Sequence, residues 1–393
     1  MTVKEYIHLH IRETTRISDG KDPDLVALPK PYTVPSRKDS FQEMYYWDTY
    51  FTNKGLILTG NVEQAVNNLE NFVFLIERYG YIPNGTRTPL LNRSQPPFFG
   101  LAIKDVWGYI SDEQKARFCK ALQTEYMFWT SRRTGTDGFA HYDAETNENE
   151  YLAFTYLYER RVGVETPHTV ERGRDIMAEA ESGWDFCPRF PNGCTKYSPI
   201  DLNSLLYADE IFLSQIDEKH AELWIERAEK RKKQVLLAQG KNGVFFDYDC
   251  VQKAPSGVYS CAGFFPYFTE MSRDKKGFQS LLSVLEYPYG VVSALTAETG
   301  FQWAMPNGWA PLFYVCVAAG MFVGDNVSAK RIAEKYILIL DEIFLKTGAL
   351  YEKYDVITGK IGVGEEYGTP EMLGWTAGIY LSLQRYLDTG NLI

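Results

Sequence analysis

Five short segments of the 393-residue sequence bring together acidic, amide and aromatic side chains, in the ranges 41–50, 85–97, 181–185, 302–311 and 351–355. Three of these five segments place an acidic residue beside Trp or Tyr in a loop-like context. Cleavage of a glycosidic bond needs a protonated carboxyl group, which donates to the leaving oxygen, and an ionised carboxylate, which attacks or activates water. Aromatic side chains hold the sugar ring, and an apolar surround raises the pKa of the acid. The segments therefore carry the groups that a glycosidase needs.

The composition is compatible with this chemistry but does not decide it. Aromatic residues make up 15% of the chain, with 27 Tyr, 23 Phe and 8 Trp. Flat rings with one polar tip suit stacking on sugars, and they suit a large core equally well. The net charge of −10 argues against a general nucleic-acid binder, because such proteins normally present a basic surface.

Other chemistries lack their residue patterns. The sequence has no HExxH motif or spaced His cluster, no CxxC pair, no phosphate-binding glycine loop, and no GxGxxG or GxSxG motif. We therefore expect neither a metal nor a cofactor. The N-terminal residues lack the pattern of a secretory signal, and no run of about 18 apolar residues occurs. We accordingly expect a cytoplasmic protein with sparse, reduced cysteines and no membrane span.

Helical periodicity dominates the elements that must position these segments. Apolar residues recur at spacings of three and four in long stretches. The predicted helices are 61–79, 111–133, 202–216, 219–239, 314–322, 326–345 and 373–387. Alternation typical of a strand is scarce, and 244–248 is its best candidate.

The connections between the predicted helices are long and rich in Gly, Pro, Asn and aromatic residues, as at 81–100, 182–200 and 300–311. Long structured loops on a helical scaffold usually carry function. Many helices with such loops predict an all-α protein, a toroid of paired helices, although no fixed-period repeat is present. We expect a single domain over residues 1–393, in which 1–35 is a lead-in segment.

The segments, in this order, resemble the signatures of the trehalase family, glycoside hydrolase family 37. The run YYWDTY at 45–50 is similar to a YYWDSY-like signature, and QWAMPNGWAP at 302–311 matches QWDxPNGWAP except at Ala304. Further matches are IPNG at 82–85, LNRSQPP at 91–97, SGWDF at 182–186, DLN at 201–203 and EKYD at 352–355. The resemblance extends from residue 40 to residue 375 and is therefore specific.

This resemblance implies an (α/α)6 barrel with long functional loops and an inverting mechanism. The general acid of the family falls on Asp185, and its general base falls on Glu352. In an inverting enzyme the two carboxyl groups lie about 6.5–9.5 Å apart, which leaves room for a water molecule. The substrate-binding positions implied in the same way are Phe41, Trp47, Asp48, Asn84, Arg93, Gln95, Gln302, Trp303, Asn307, Gly308, Trp309, Glu366 and Trp375.

Three departures from the family pattern bear on the substrate. Ser40 stands where the family has the Arg of a GGRF run, and Gly163 stands where it has the Arg of an RPES-like run. Ala304 replaces the Asp of QWD, which removes one acceptor for a sugar hydroxyl. The glycine-rich run at 362–367 is shortened, and the chain is shorter than typical members. Loss of a partner for a substrate hydroxyl can change selectivity by orders of magnitude.

These departures leave three functions open. The first is the inverting hydrolysis of an α-glucoside, trehalose first, by a trehalase-like enzyme. The second is hydrolysis of another small α-glycoside, such as glucosylglycerate or mannosylglycerate, whose carboxylate Arg37, Arg87 and Arg93 could bind. The third is a non-catalytic sugar-binding protein. Arg37 could also replace the arginine lost at position 40, and Arg160 or Arg161 could replace the other if their loop is re-shaped. In each case the expected partner is a small disaccharide or glycoside, without nucleic acid or membrane, and the oligomeric state stays open.

Overall fold

The computed structural model describes residues 1–38, 40–135, 138–296, 300–363 and 368–393. Helices dominate this part of the chain. The α-helices are α1 (Val3–His10), α2 (Tyr46–Leu58), α3 (Val62–Tyr79), α4 (Phe99–Val106), α5 (Asp112–Ser131), α6 (Glu148–Val162), α7 (Val170–Glu181), α8 (Ile200–Ile216), α9 (Ala221–Val235), α10 (Phe265–Phe268), α11 (Lys275–Leu285), α12 (Ala310–Phe322), α13 (Asn326–Thr347) and α14 (Gly374–Thr389).

Within the described residues, six helices pack side by side in a closed inner ring: α2, α4, α8, α10, α12 and α14. The ring closes where the last helix, α14, lies along α2. Glycine permits this close approach, because a Cβ atom on Gly378 would lie 2.0 Å from the carbonyl oxygen of Phe51 and one on Gly55 would lie 2.9 Å from the Cα of Gly378. The inner helices are buried on nearly all sides, and every residue of α12 from Ala310 to Gly320 is buried.

A second layer of helices covers the ring. Helix α3 packs on α2 and α4, α5 and α9 pack on α8, and α11 and α13 pack on α12. Each outer helix buries one apolar stripe and exposes a polar face, as expected for helices at the surface of a core. One continuous apolar core fills the space within and between the two layers. The predicted all-α (α/α)6 barrel is therefore confirmed.

Short strands and one helical hairpin lie outside the two layers of the barrel. The strands are β1 (Thr15–Arg16), β2 (Tyr32–Thr33), β3 (Tyr197–Ser198), β4 (Tyr248–Asp249), β5 (Ala254–Pro255), β6 (Glu286–Tyr287), β7 (Gly290–Val291), β8 (Asn307–Trp309), β9 (Lys353–Asp355) and β10 (Lys360–Ile361). Strand β9 lies between β8 and β10 in an antiparallel sheet, in which Trp309 is paired with Lys353. This register brings the 302–309 loop beside the 351–355 segment. Helices α6 and α7 pack together outside the ring.

The predicted helices correspond to α3, α5, α8, α9, α12, α13 and α14, whereas α1, α2, α4, α6, α7, α10 and α11 had no predicted counterpart. In the strand candidate 244–248, Phe245 forms an isolated antiparallel bridge with Gln239 and Tyr248 begins β4, so the segment contributes to two short pairings rather than to one continuous strand. The lead-in segment 1–35 contains α1, which packs on α13, and the β1–β2 pair.

Among the described helices, none combines the length and the apolar character that crossing a bilayer requires.

Candidate active site

All five motif segments meet at one cavity of about 630 Å³. Volumes of this size are typical of small-molecule sites. Its walls also include residues of α6, together with Gly368 and Met372, which had not been expected there. Of the predicted site residues, the cavity is lined by Asp185, Glu352, Phe41, Trp47, Asp48, Asn84, Arg93, Gln95, Gln302, Trp303, Trp309 and Trp375.

Three predicted positions are not among these lining residues. The Asn307 side chain ties two loops together, since its amide nitrogen donates to the carbonyl oxygens of Gln302 at 3.0 Å and Val363 at 2.6 Å. Gly308 lies in β8 under tight packing, and a Cβ atom there would lie 2.7 Å from the carbonyl oxygen of Val291. Glu366 lies outside the described residues. Asn307 and Gly308 therefore shape the cavity from behind rather than line it.

Asp185 follows the end of α7 in a tight loop. Gly183 has a φ of 72°, and a Cβ atom there would lie 2.9 Å from the Trp47 ring, so glycine lets the loop approach the floor of the cavity. Burial raises the pKa of the Asp185 carboxyl group, and the nearby Glu352 also raises it. The positive charges of Arg93 and Arg161 act in the opposite direction. The net result is a raised pKa, as a proton donor requires.

Glu352 lies just before β9 and is nearly fully buried. Its carboxylate accepts a hydrogen bond from Lys353 Nζ at 2.8 Å, and the Lys353 side chain is itself inaccessible to solvent. The same ammonium group lies 5.0 Å from the centre of the Trp309 ring. A buried carboxylate with a cation at hydrogen-bonding distance favours the ionised form, as a general base requires.

Asp48 provides a third carboxyl group, from the first turn of α2. Its pKa is raised to about 8, first by burial, then by Glu352, with a smaller contribution from Asp185. This pKa favours the protonated form of Asp48 at neutral pH, in which the carboxyl group can donate one hydrogen bond to a substrate hydroxyl.

Four tryptophans line the cavity, Trp47, Trp303, Trp309 and Trp375, and Trp184 packs behind them. Trp303 and Trp309 stack in parallel with ring centroids 3.8 Å apart and an interplanar angle of 3°. Trp184 packs on Trp303 at 5.5 Å, Trp47 packs on it at 5.6 Å, and Trp375 meets Trp309 edge-on at 5.9 Å. Such rings can stack on the apolar faces of sugars, and they exclude water from the carboxyl groups.

Two arginines reach the cavity, whereas Arg37, Arg87 and Arg160, for which a role there had been considered, do not. Arg93 is buried, and its Nη1 donates to Asn92 Oδ1 at 2.8 Å. Arg161 of α6 lines the cavity near Asp185. Arg37 instead binds Glu13 at 2.6 Å and Tyr6, and Arg87 pairs with Asp22 and Glu43. The expectation that Arg37 and Arg87 could bind a substrate carboxylate is therefore wrong.

Helix α6 supplies a wall that the sequence interpretation missed. Phe154, Leu157 and Arg161 line the cavity, and their spacing of three and four residues places them on one face of the helix. The Phe154 ring lies 5.3 Å from the Arg93 guanidinium. The spacing is visible in the sequence, but the direction of that face depends on how α6 packs on α7. Other lining residues without a predicted role are Ser40, Tyr45, Pro89, Leu90, Gly183, Phe186, Gly368 and Met372.

The fold and the cavity define the class as the (α/α)6 glycoside hydrolases. The chain belongs to the trehalase family, whose model matches residues 3–388. A periplasmic trehalase of Pseudomonas aeruginosa is 33% identical over 399 residues, which are 93% of this chain and 73% of that protein. A periplasmic trehalase of Xanthomonas axonopodis pv. citri is 33% identical over 418 residues, 97% of this chain and 72% of that protein.

Solved structures agree on the fold. The neutral trehalase Nth1 from Saccharomyces cerevisiae superposes with a TM-score of 0.78 at 23% identity, covering 99% of this chain and 80% of that one. The GH63 mannosylglycerate hydrolase from Thermus thermophilus in complex with glucose has a TM-score of 0.65 at 15% identity, covering 97% of this chain and 99% of that one. At these identities the comparison supports the shared fold alone.

The expectation of a cytoplasmic location is contradicted by the curated relatives, which are named periplasmic trehalases. The error has a physical reason. The expectation rested on the lack of a signal pattern in the N-terminal residues, and such a lack does not determine the compartment in which a folded domain works.

Proposed function

We propose that this glycoside hydrolase cleaves trehalose into two glucose molecules with inversion, and that Asp185 is the general acid and Glu352 the general base. The observation that carries the proposal is the opposite environment of two carboxyl groups in one cavity. Burial raises the pKa of Asp185, whereas Glu352 has the Lys353 ammonium group at 2.8 Å. Two titratable groups that differ in this way are suited to acid and base roles.

The reaction follows from these roles. Asp185 donates its proton to the oxygen that bridges the two sugars, and the bond from that oxygen to one anomeric carbon breaks. Glu352 removes a proton from a water molecule, whose oxygen attacks the same carbon from the opposite face. One glucose leaves with its configuration retained, and the other is released as the β-anomer. The two carboxyl groups should lie about 6.5–9.5 Å apart, as inversion requires.

A second candidate substrate has one observation in its favour. Arg93 and Arg161 both lie near Asp185, on the side where the leaving group must sit. Two guanidinium groups can bind a carboxylate, so an anionic leaving group such as glycerate fits this end of the cavity. A neutral sugar also fits, because the same groups donate to hydroxyl oxygens. The trehalase relatives favour the neutral sugar.

The test is release of glucose from trehalose, kojibiose, sucrose and glucosylglycerate, and of mannose from mannosylglycerate, by the wild-type protein, Asp185→Asn and Glu352→Gln. We expect turnover of trehalose by the wild-type protein and a loss of at least about 10³-fold in kcat in each variant. Glu165→Gln, an exposed carboxylate beyond α6, is the control and should retain full activity. NMR of the trehalose products, recorded before mutarotation, should show α- and β-glucose in equal amounts.

Unchanged turnover in Asp185→Asn would remove that residue from the mechanism. Preferential release from glucosylglycerate or mannosylglycerate would reassign the leaving group to an anion. No release from any of the five substrates would favour a sugar-binding protein without activity.

A further inference from the structure

Ser94, Asp143 and Arg133, from three separate segments of the chain, converge on one buried carboxylate, Glu181, the last residue of α7. Its side chain has no solvent exposure. Glu181 Oε1 accepts a hydrogen bond from Ser94 N at 2.8 Å, and Oε2 accepts one from Asp143 N at 2.7 Å. A single side chain thus joins α7 to two segments that are distant in sequence.

Arg133, at the end of the α5 segment, neutralises this carboxylate. Its Nε lies 3.0 Å from Glu181 Oε2 and its Nη2 lies 3.1 Å from Oε1, in a two-pronged arrangement. Arg133 is only 2% exposed, and its Nη1 also donates to Glu145 Oε1 at 2.6 Å. A buried pair of this kind has a fixed geometry, because every alternative leaves a charge without a partner.

The contacts of Glu181 lead directly to residues that line the cavity. Ser94 stands between Arg93 and Gln95, which both line it, and Gln95 Oε1 accepts a hydrogen bond from Trp47 N at 3.1 Å. Asn84 adds a parallel connection, since its Nδ2 donates to the carbonyl oxygen of Ala180 at 3.3 Å.

In the other direction along the chain, Asp185 follows Glu181 by four residues in the same turn. We propose that Glu181 is a positioning residue, which holds the Asp185 loop at a fixed distance from the segment that carries Arg93 and Gln95. This role rests on the proposed function of Asp185 as the general acid.

The geometry has a chemical consequence. Arg93 is the leading positive charge that acts on the Asp185 carboxyl group, and it favours the ionised form. Glu181 fixes the separation of these two groups through the backbone of Ser94. A looser Glu181 contact lets Arg93 move away, and Asp185 then holds its proton to a higher pH. Displacements of about 1 Å in such a site reduce turnover on the order of 10²-fold.

The test is Glu181→Gln. An amide has one acceptor oxygen, so either Ser94 N or Asp143 N loses its acceptor, and the new NH2 group faces the donors of Arg133. We expect kcat/KM on trehalose to fall about 10- to 100-fold, and the alkaline limb of its pH profile to move to higher pH. A variant that is merely less stable would lower kcat/KM at every pH without moving the alkaline limb of the profile.

Glu210→Gln is the matched control. Glu210 pairs with Arg231 at 2.8 Å, with side-chain exposures of 1% and 9%, but neither residue lines the cavity. This variant should lower the melting temperature by a similar amount and leave the pH limb in place. Arg133→Lys is a second variant, which keeps both backbone contacts of Glu181 and should move the limb in the same direction by a smaller amount.

An unmoved limb in both folded variants, Glu181→Gln and Arg133→Lys, overturns the positioning role, as does an equal shift in Glu210→Gln. Asp185→Asn, measured in parallel, separates this result from the proposed function. If Asp185→Asn turns over like the wild type, the acid has been misassigned. If it is inactive and Glu181→Gln has a normal profile, only the role of Glu181 fails.

Discussion

Lys353 Nζ lies 2.8 Å from Glu352 Oε2, and neither side chain is more than 3% exposed. The cation that neutralises the proposed base is therefore the next residue in the chain. Because removal of one partner from a buried ion pair leaves the other charge unpaired, the two residues should be functionally inseparable. The motif EKYD thus encodes the base and its counter-charge together.

Lys353→Met should make Glu352 easier to protonate, because the carboxylate loses the cation that stabilises its ionised form. We expect the acidic limb of the kcat/KM profile to move to higher pH and kcat/KM at neutral pH to fall about 10- to 100-fold. Lys360→Met, an exposed lysine on strand β10 of the same sheet, is the control. An acidic limb that stays in place in Lys353→Met would show that Lys353 serves packing alone.

Arg161→Gln should weaken recognition of the leaving group. Arg161 lines the cavity on the Asp185 side and lowers the pKa of that carboxyl group. Loss of a charged hydrogen bond to the substrate costs about 1.5–3 kcal/mol, or about 10- to 150-fold in kcat/KM. The alkaline limb should move to higher pH at the same time.

Arg160→Gln provides the comparison, since Arg160 is the neighbouring residue on α6 but is exposed and does not line the cavity. Steady-state kinetics on trehalose and glucosylglycerate from acidic to alkaline pH would check both variants. Equal effects of the two substitutions would contradict a direct role of Arg161. A much larger loss on glucosylglycerate than on trehalose in Arg161→Gln would identify the anion as its partner.

Glu125 of α5 should make the protein less stable as the pH rises. Burial raises its pKa to about 8, although Tyr46 donates a hydrogen bond to it at 2.5 Å. In the unfolded chain the same carboxyl group ionises near its usual pKa of about 4.3. Between these two values the unfolded state has released a proton that the folded state still holds. The free energy of unfolding therefore decreases with pH in this window, by up to about 1.4 kcal/mol per pH unit for this group.

Glu125→Gln removes this titration, so its free energy of unfolding should depend less on pH between about 5 and 8. Urea denaturation at several pH values within this window measures the slope for the wild type and the variant. Glu113→Gln, an exposed carboxylate on the same helix, should reproduce the wild-type slope. Parallel curves for wild type and Glu125→Gln would mean that Glu125 is ionised in the folded state.

The sequence predicts the site best where the chemistry is local. Asp48 follows Trp47, Asp185 follows Trp184, and Glu352 precedes Lys353, so short runs of residues reveal these pairs without knowledge of the fold. The outer helices α3, α5, α9 and α13 were predicted for a similar reason, since a buried stripe and a polar face give a period of three to four residues, whereas the outer helix α11 was missed. Helix α2 was not predicted, and burial of nearly all of its residues leaves it without a polar face to mark the period, although α8 and α12 were predicted despite similar burial.

The arginines show where prediction from sequence fails. Arg37 lies close in sequence to the motif at 41–50, yet its guanidinium group pairs with Glu13. Arg87 lies inside a motif segment, yet it pairs with Asp22 and Glu43. An arginine side chain is long, and the nearest carboxylate in space decides its direction. Arg161 reaches the cavity only because α6 packs on α7, and this packing involves contacts between helices rather than any local motif.

Ala304 gives the last test of the substrate. The sequence comparison suggested that an Asp at this position would restore an acceptor for a sugar hydroxyl. In the structure Ala304 is fully buried and is not among the residues that line the cavity, although its neighbours Gln302 and Trp303 are. A carboxylate there would be buried without a substrate contact, at a cost of several kcal/mol. We expect Ala304→Asp to lower the melting temperature and to reduce kcat/KM on trehalose and on glucosylglycerate alike.

Ala304→Asn separates charge from size, because it adds the same volume without the charge and should be less damaging. Thermal unfolding and steady-state kinetics of the two variants on both substrates would check this. If Ala304→Asp instead gains activity on trehalose alone, the side chain at this position must reach the sugar, and the wall formed by Gln302 and Trp303 must then rearrange when substrate binds.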